Sequence, residues 1–291
     1  MDGEAAALGA VLIGGAYSVW RLLQGQKAAA LAINAAWAEA AHRLHGTAEG
    51  ISSQFGRRVL RASVDGKVLL IEAATRTNSR GGGPSYVKLR AGPLLNLAEL
   101  ELNVMKRGIL GKIAQKMHLS EVETDDATFH EEIRVTGHPA PLALAFLDRM
   151  TREHIKNLGE PFTLADREFV IEREEYPETG EALETMARYA DIMVSRWNVL
   201  ERAPKRLATE LGFVLAADRV VLRPGETTTV ATGVRRGHEI TLSIRLDDNL
   251  TTRLTFAGGE IILPGIECNA EAASKELDAL IEAAPRRAGY R

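Results

Sequence analysis

The sequence predicts an α+β fold. Its first part is typical of two consecutive helices, an uncharged apolar one over Ala5–Trp20 and an alanine-rich one over Lys27–His45. The rest predicts a mixed α/β body with two β-rich units of short strands bounded by turn residues, and a C-terminal helix capped by Asn269. We therefore place predicted domain boundaries at residues 1–26, 27–118, 119–201 and 202–291.

The first apolar run is the most informative segment, because it carries no charge and is followed at once by Arg21. A membrane-spanning helix needs about 20 apolar residues. This run reaches that length only if Leu22 and Leu23 are included and the Arg21 side chain extends to the interface. Tyr17 and Trp20 would then lie beside Arg21 at the membrane interface. The leading hypothesis is a single-pass helix in a bacterial inner membrane. The basic residues that follow it predict a cytoplasmic C-terminal domain.

Two alternatives remain open for this segment: a cleaved signal peptide, or a helix that is buried or oligomerises in a cytoplasmic protein. Small residues recur at every fourth position and share one helix face, at Ala6, Ala10, Gly14 and Ser18. This spacing lets a second helix approach closely and predicts helix association. The expected partners are therefore a membrane, a second copy of the chain, or another protein.

Composition predicts a chain with a substantial core and argues against a nucleic-acid-binding protein. With 291 residues and 45% hydrophobic residues, the chain can bury a substantial core. Its 36 Lys and Arg against 39 Asp and Glu argue against a dedicated nucleic-acid binder, which normally has a basic excess. The one cysteine, Cys268, cannot form an internal disulfide, and we interpret it as a buried structural thiol.

Hydrophobic patterns and turn residues predict the individual elements. They indicate a hairpin at Asp65-Gly66, a helix over Met105–Met117, an acidic loop over Glu121–Glu132, and one helix over Pro141–Asn157. Further along, they predict a strand pair over Phe162–Glu174, a helix over Glu181–Glu201, strands at 213–215, 220–222, 227–232, 239–246 and 250–256, and a last helix from Asn269.

Two segments also share an order of features. Each has a helix with a tryptophan, an Arg-Leu pair near its end, and a hairpin that contains Gly66-Lys67 in one segment and Gly237-His238 in the other. An internal duplication would produce this order. The common arrangement of a helix followed by a hairpin would produce it as well.

Catalytic chemistry has little support in the sequence. The chain contains no nucleophile elbow and no phosphate-binding loop, so no cofactor is predicted. The strongest candidate is the segment 121–138, where Asp125, Asp126 and His130 are suitable ligands for a divalent metal. Their spacing matches no known metal loop, and a solvated acidic loop is the plainer interpretation.

The leading functional hypothesis is a non-enzymatic module that is tethered to a membrane or assembles with itself. One alternative is a metal-dependent or carboxylate-using hydrolase centred on residues 121–138. Another is a soluble homo-oligomer that assembles through the N-terminal helix.

Overall fold

A computed structural model describes residues 24–25, 27–50, 57–64, 66–75, 85–92, 100–107, 120–165, 167–173, 179–218, 220–247, 249–265 and 268–284. The chain divides into two compact units. The first contains the described residues within Met1–Arg90 and Glu172–Arg188, and the second contains those within Ala91–Ile171 and Tyr189–Arg291.

Six helices are described. They are α1 (27–43), α2 (Ala127–Glu132), α3 (Ala140–Phe146), α4 (Arg149–Leu158), α5 (Gly180–Glu210) and α6 (Ala270–Ala283).

The strands form two antiparallel sheets. Their bounds are β1 (Thr47–Glu49), β2 (Arg58–Val64), β3 (Lys67–Thr75), β4 (Ser85–Gly92), β5 (Glu101–Lys106), β6 (Ile133–His138), β7 (Phe162–Ala165), β8 (Glu168–Arg173), β9 (Val214–Leu215), β10 (Thr227–Arg235), β11 (His238–Leu246), β12 (Leu250–Phe256) and β13 (Gly259–Pro264). The larger sheet has eight strands in the order β1-β2-β3-β4-β8-β7-β5-β6, and the smaller has five in the order β13-β12-β11-β10-β9.

The core of each unit follows from alternation along its strands, since successive side chains point to opposite faces of a sheet. In the first unit the fully buried side chains include Trp37, Leu60, Leu69, Ile71 and Leu89. In the second unit an aromatic cluster forms part of the core: the ring centroids of Phe162 and Phe169 are 4.8 Å apart, and Tyr189 packs edge-on against both. Edge-to-face contacts of this kind add to the free energy of burial.

These elements confirm the mixed helix-and-strand composition, the hairpin at Gly66, the strand pair predicted over Phe162–Glu174 and the C-terminal helix, and they correct several boundaries. The acidic segment predicted as a loop contains α2, and residues 140–158 form two helices rather than one, because Asp148 caps α4. The helix predicted over 105–117 is wrong at its start, since Met105 and Lys106 lie in β5. The helix predicted to end at Glu201 continues through Pro204, and β13 was not predicted.

The prediction of a single-pass transmembrane protein is corrected. Among the residues that the structure describes, no helix is both long enough and apolar enough to cross a membrane. The segment that suggested the anchor, including Tyr17, Trp20 and Arg21 at the expected interface, lies outside the described residues. The predicted association stripe at Ala6, Ala10, Gly14 and Ser18 lies outside them too.

One stretch in each unit has the same pattern of backbone hydrogen bonds. Two residues after each helix lies a residue of positive φ, whose N–H donates to the carbonyl three residues back. The next N–H donates to the carbonyl five residues back. The donor–acceptor pairs are His45–His42 and Gly46–Ala41 after α1, and Gly212–Thr209 and Phe213–Ala208 after α5. Both ends satisfy carbonyls that a helix would otherwise leave unpaired.

The strands that follow continue this correspondence. A strand of two or three residues comes directly after each helix and pairs with the first strand of a hairpin, whose turn has a glycine of positive φ. The matching pairs are Thr47↔Arg61 and Ala48↔Leu60 in one unit, and Val214↔Thr232 and Leu215↔Ala231 in the other. The turn glycines are Gly66 and Gly237, and each is followed by a strand of nine residues.

Candidate interaction surface

Helix α1 has one buried face. Ala36, Trp37, Ala40, Ala41 and Leu44 share this face, and each is at most 6% exposed. Side chains of the same unit hold the helix in place.

Two polar contacts fix its position. Arg58 donates from Nε to Oδ1 of Asn34 at 2.8 Å, and Arg43 forms an ion pair with Glu184 of α5 at 3.2 Å. Hydrogen bonds from Arg188 and then from Arg43 lower the pKa of Glu184.

Over residues 28–38 the opposite face of α1 is also apolar, although it is exposed. We call this face the α1 stripe; it consists of Ala28, Leu31, Ala32, Ala35 and Ala38. These positions repeat at intervals of three and four, so they form one line along the helix. Leu31 is 67% exposed, and no charged residue lies between Lys27 and Glu39. The outer face of a surface helix normally carries polar residues, and the α1 stripe departs from that pattern.

The part of α5 that corresponds to the first turns of α1 is buried by other side chains of the second unit. Counted back from the matching helix ends, Trp197 and Leu200 of α5 correspond to Ala30 and Ile33 of α1. Trp197 is 3% exposed and packs edge-on against Phe146, with the ring centroids 5.7 Å apart. Ala30 and Ile33 are only half-buried. The first turns of α1 therefore bury less than the equivalent turns of α5.

The predicted metal candidates lie together near the start of α2, and each already has a partner within the chain. Asp126 is the N-cap of α2, since its Oδ1 accepts from the Phe129 N–H at 3.0 Å and from the Thr128 hydroxyl at 2.7 Å. Those two hydrogen bonds, the one from Thr128 first, lower the pKa of Asp126. A capping carboxylate of this kind satisfies N–H groups that the first turn of a helix leaves free.

Arg152 forms ion pairs with both acidic side chains. Its guanidinium lies 3.1 Å from Oδ1 of Asp125 and 3.6 Å from Oδ2 of Asp126, and it also donates to the carbonyl of Leu147 at 3.0 Å. A divalent cation at these carboxylates would have to compete with this charge.

His130 also has a hydrogen-bond partner within the chain. The Thr124 N–H donates to its Nε2 at 2.6 Å, so Nε2 acts as an acceptor and a neutral ring carries its proton on Nδ1. Nδ1 is buried and has no hydrogen-bond partner within the part of the chain that is described. His138, at the other end of the segment, is the last residue of β6. Over the described ranges, no group of three or more His, Cys, Asp or Glu residues is arranged to hold a metal ion.

Cys268 lies between β13 and α6 and is half-buried. Burial raises the pKa of its thiol, which disfavours the reactive thiolate. Its Sγ lies 4.0 Å from the carbonyl oxygen of Gly265. This environment favours the structural interpretation over a nucleophilic one.

Comparison with known proteins finds no family model that matches this chain, no similar curated protein and no similar solved structure.

Sequence reasoning did not single out the α1 stripe, although a signal for it was present. An eleven-residue run from Ala28 to Ala38 contains no charge, and only Asn34 is polar. Such a run predicts a helix that is apolar all round, which normally requires cover on both faces. Which face the protein itself covers could be read only from the folded chain.

Proposed function

We propose that this chain is a self-associating interaction module, in which the α1 stripe of one copy binds the α1 stripe of a second copy. We also propose that the chain contains a duplicated unit of a helix and a hairpin. The carrying observation is the exposure of Leu31 within an uncharged helical surface. Removing apolar surface from water is favourable by about 25 cal/mol per Å², so the exposed stripe favours a partner.

The character of the stripe favours a second copy as that partner. A surface without charge does not repel its own duplicate. The alanines at positions 28, 32, 35 and 38 leave shallow gaps along the helix, and leucine side chains of a facing helix fit into gaps of this kind. Each Leu31 would thus pack among alanines of the other copy.

The proposed duplication is supported by the matched hydrogen bonds at the ends of α1 and α5 and by the matched strand registers. In this alignment Trp37 corresponds to Pro204 and not to Trp197, so the tryptophans that the two segments share are not at equivalent positions.

The test is to replace Leu31 with glutamate and to measure the mass of the full chain by light scattering. We expect Leu31→Glu to lower the mass of the assembly, because association would bury a charge at the centre of the stripe. The matched control is Val68→Glu, which places the same charge at an apolar residue of β3 that is 59% exposed and lies outside the stripe. The control should leave the mass unchanged.

An unchanged mass for Leu31→Glu would overturn the proposal, as would an equal loss in the two variants. No specific observation favours the hydrolase alternative, since Asp125, Asp126 and His130 each have an internal partner.

A further inference from the structure

The edges of the two sheets differ in how they are protected against pairing with other strands. An open edge presents unpaired N–H and C=O groups and can add a strand from another chain. In the larger sheet, β6 is covered by residues 120–122: the Val122 N–H donates to the carbonyl of Val135, and the Gly137 N–H donates to that of Ser120, each at 3.0 Å. At the other edges, β1 has only three residues and β9 only two.

Strand β13 is the exception. It has six residues, Gly259–Pro264, at one edge of the five-stranded sheet. Within the described part of the chain, its backbone hydrogen bonds with other strands go to β12 alone. Ile262 points to the outer face and is 53% exposed. The strand contains no Lys or Arg, and Pro264, which cannot donate a backbone hydrogen bond, stands at its very end.

We propose that β13 is a self-pairing edge, at which the β13 strand of a second copy adds in antiparallel fashion and joins the two five-stranded sheets into one. A two-fold axis midway between the two Ile262 residues, perpendicular to the sheet, keeps the inner faces of both sheets on the same side. In that register Ile262 lies opposite its own counterpart, Ile261 lies opposite Leu263, and Glu260 lies opposite Pro264. Apolar side chains meet at the centre, and no two like charges are opposed.

Charge and rigidity both suit β13 to this contact. Glu260, its one charged residue, is neutralised by Arg253 of β12 at 3.3 Å. A Cβ added at Gly259 would lie 3.3 Å from Leu280 of α6, so the helix packs closely against the inner face of the strand. A strand held in place by both β12 and α6 loses little conformational freedom when it pairs.

Disulfide trapping tests the register directly. In a Cys268→Ser background, which removes the one native cysteine, Ile262→Cys places two thiols opposite each other across the two-fold axis. Directly opposite residues have Cβ atoms about 4.5–5.5 Å apart, close enough for a disulfide after a small adjustment. The matched control is Val234→Cys in the same background, since Val234 is 71% exposed on the outer face of β10. We expect mild oxidation to give a covalent dimer with Ile262→Cys and no covalent dimer with Val234→Cys, measured by non-reducing denaturing electrophoresis.

Light scattering separates this contact from the α1 stripe. We expect Ile262→Lys alone and Leu31→Glu alone each to leave a dimer, and the double variant to be a monomer. Trapping at Ile262→Cys should persist in the presence of Leu31→Glu. The β13 proposal is overturned if Ile262→Cys is trapped no better than Val234→Cys, or if Leu31→Glu abolishes trapping. Either contact, the one at β13 or the one at the α1 stripe, can therefore be refuted while the other stands.

Discussion

The ring of Phe213 lies directly over Gly233 in the five-stranded sheet, so closely that a Cβ added to this glycine would overlap Cδ1 of the ring. The matching positions of the first unit have the opposite arrangement of sizes. Gly46 follows α1 where Phe213 follows α5, and a Cβ on Gly46 would lie 2.9 Å from the Cβ of Ala62. Each unit thus has one glycine at this contact, after the helix in the first unit and in the hairpin in the second.

Replacing Gly233 with alanine should destabilise the protein by about 1–3 kcal/mol, the usual range for overpacking. Phe213 is 7% exposed and has little room to move away. Chemical denaturation measures the change. Gly25→Ala is the control, because nothing lies within 4 Å of a Cβ at Gly25. In the double variant with Phe213→Ala, the cost of Gly233→Ala should largely disappear; simple additivity of the two costs would contradict the contact.

The pair Arg235–Asp278 should make stability depend on pH in the acid range. Arg235 of β10 donates to both carboxylate oxygens of Asp278 in α6, at 2.7 and 2.8 Å. Its hydrogen bond lowers the pKa of Asp278 below the ordinary value of 3.8. A lowered pKa means that the stabilisation is present above the unfolded pKa and is lost as the pH falls through the folded one.

The variant that checks this is Asp278→Asn, compared with the wild type by urea denaturation at several pH values. We expect the variant to be less stable at neutral pH and to lose less stability than the wild type when the pH falls below 3.8. The control is Glu271→Gln, which removes an exposed pair with Lys275 on the same helix; exposed pairs of this kind contribute little. Parallel pH profiles for Asp278→Asn and the wild type would refute the assignment.

Added divalent metal should leave the melting temperature unchanged. Thr124 already donates to Nε2 of His130, and Arg152 already pairs with Asp125 and Asp126. We expect His130→Ala to cost about 1 kcal/mol, because the Thr124 N–H loses its acceptor. We also expect this cost to be the same with and without zinc or manganese. Thermal melts of the two proteins measure both effects. A metal-dependent rise in the melting temperature that His130→Ala abolishes would instead favour the hydrolase.

Local chemistry made part of the fold predictable. The hairpins at Gly66 and Gly237 follow from turn residues that adopt positive φ at little cost. Helix α6 follows from Asn269, whose side chain accepts from the Ala272 N–H at 3.0 Å. Signals of this kind act over a few residues and can be read without knowing what packs around them.

Other features depended on long-range burial. Helix α5 continues past Pro204, which is buried, although an interior proline removes a hydrogen bond and normally ends a helix. Buried neighbours such as Ala203 and Leu207 offset this cost, and no local pattern announces them. In the same way, the short apolar run of β13 becomes a strand because β12 provides its hydrogen bonds.

The two candidate surfaces, the α1 stripe and the edge of β13, were likewise predictable only in part from local sequence. The helix α1 and the absence of charge over residues 28–38 could both be predicted from residue type. The burial of Trp37, the exposure of Leu31 and the position of β13 at the end of a sheet depend on the folded chain. Helical propensity is a property of neighbouring residues, whereas the side of a helix or strand left uncovered depends on segments far away in the chain.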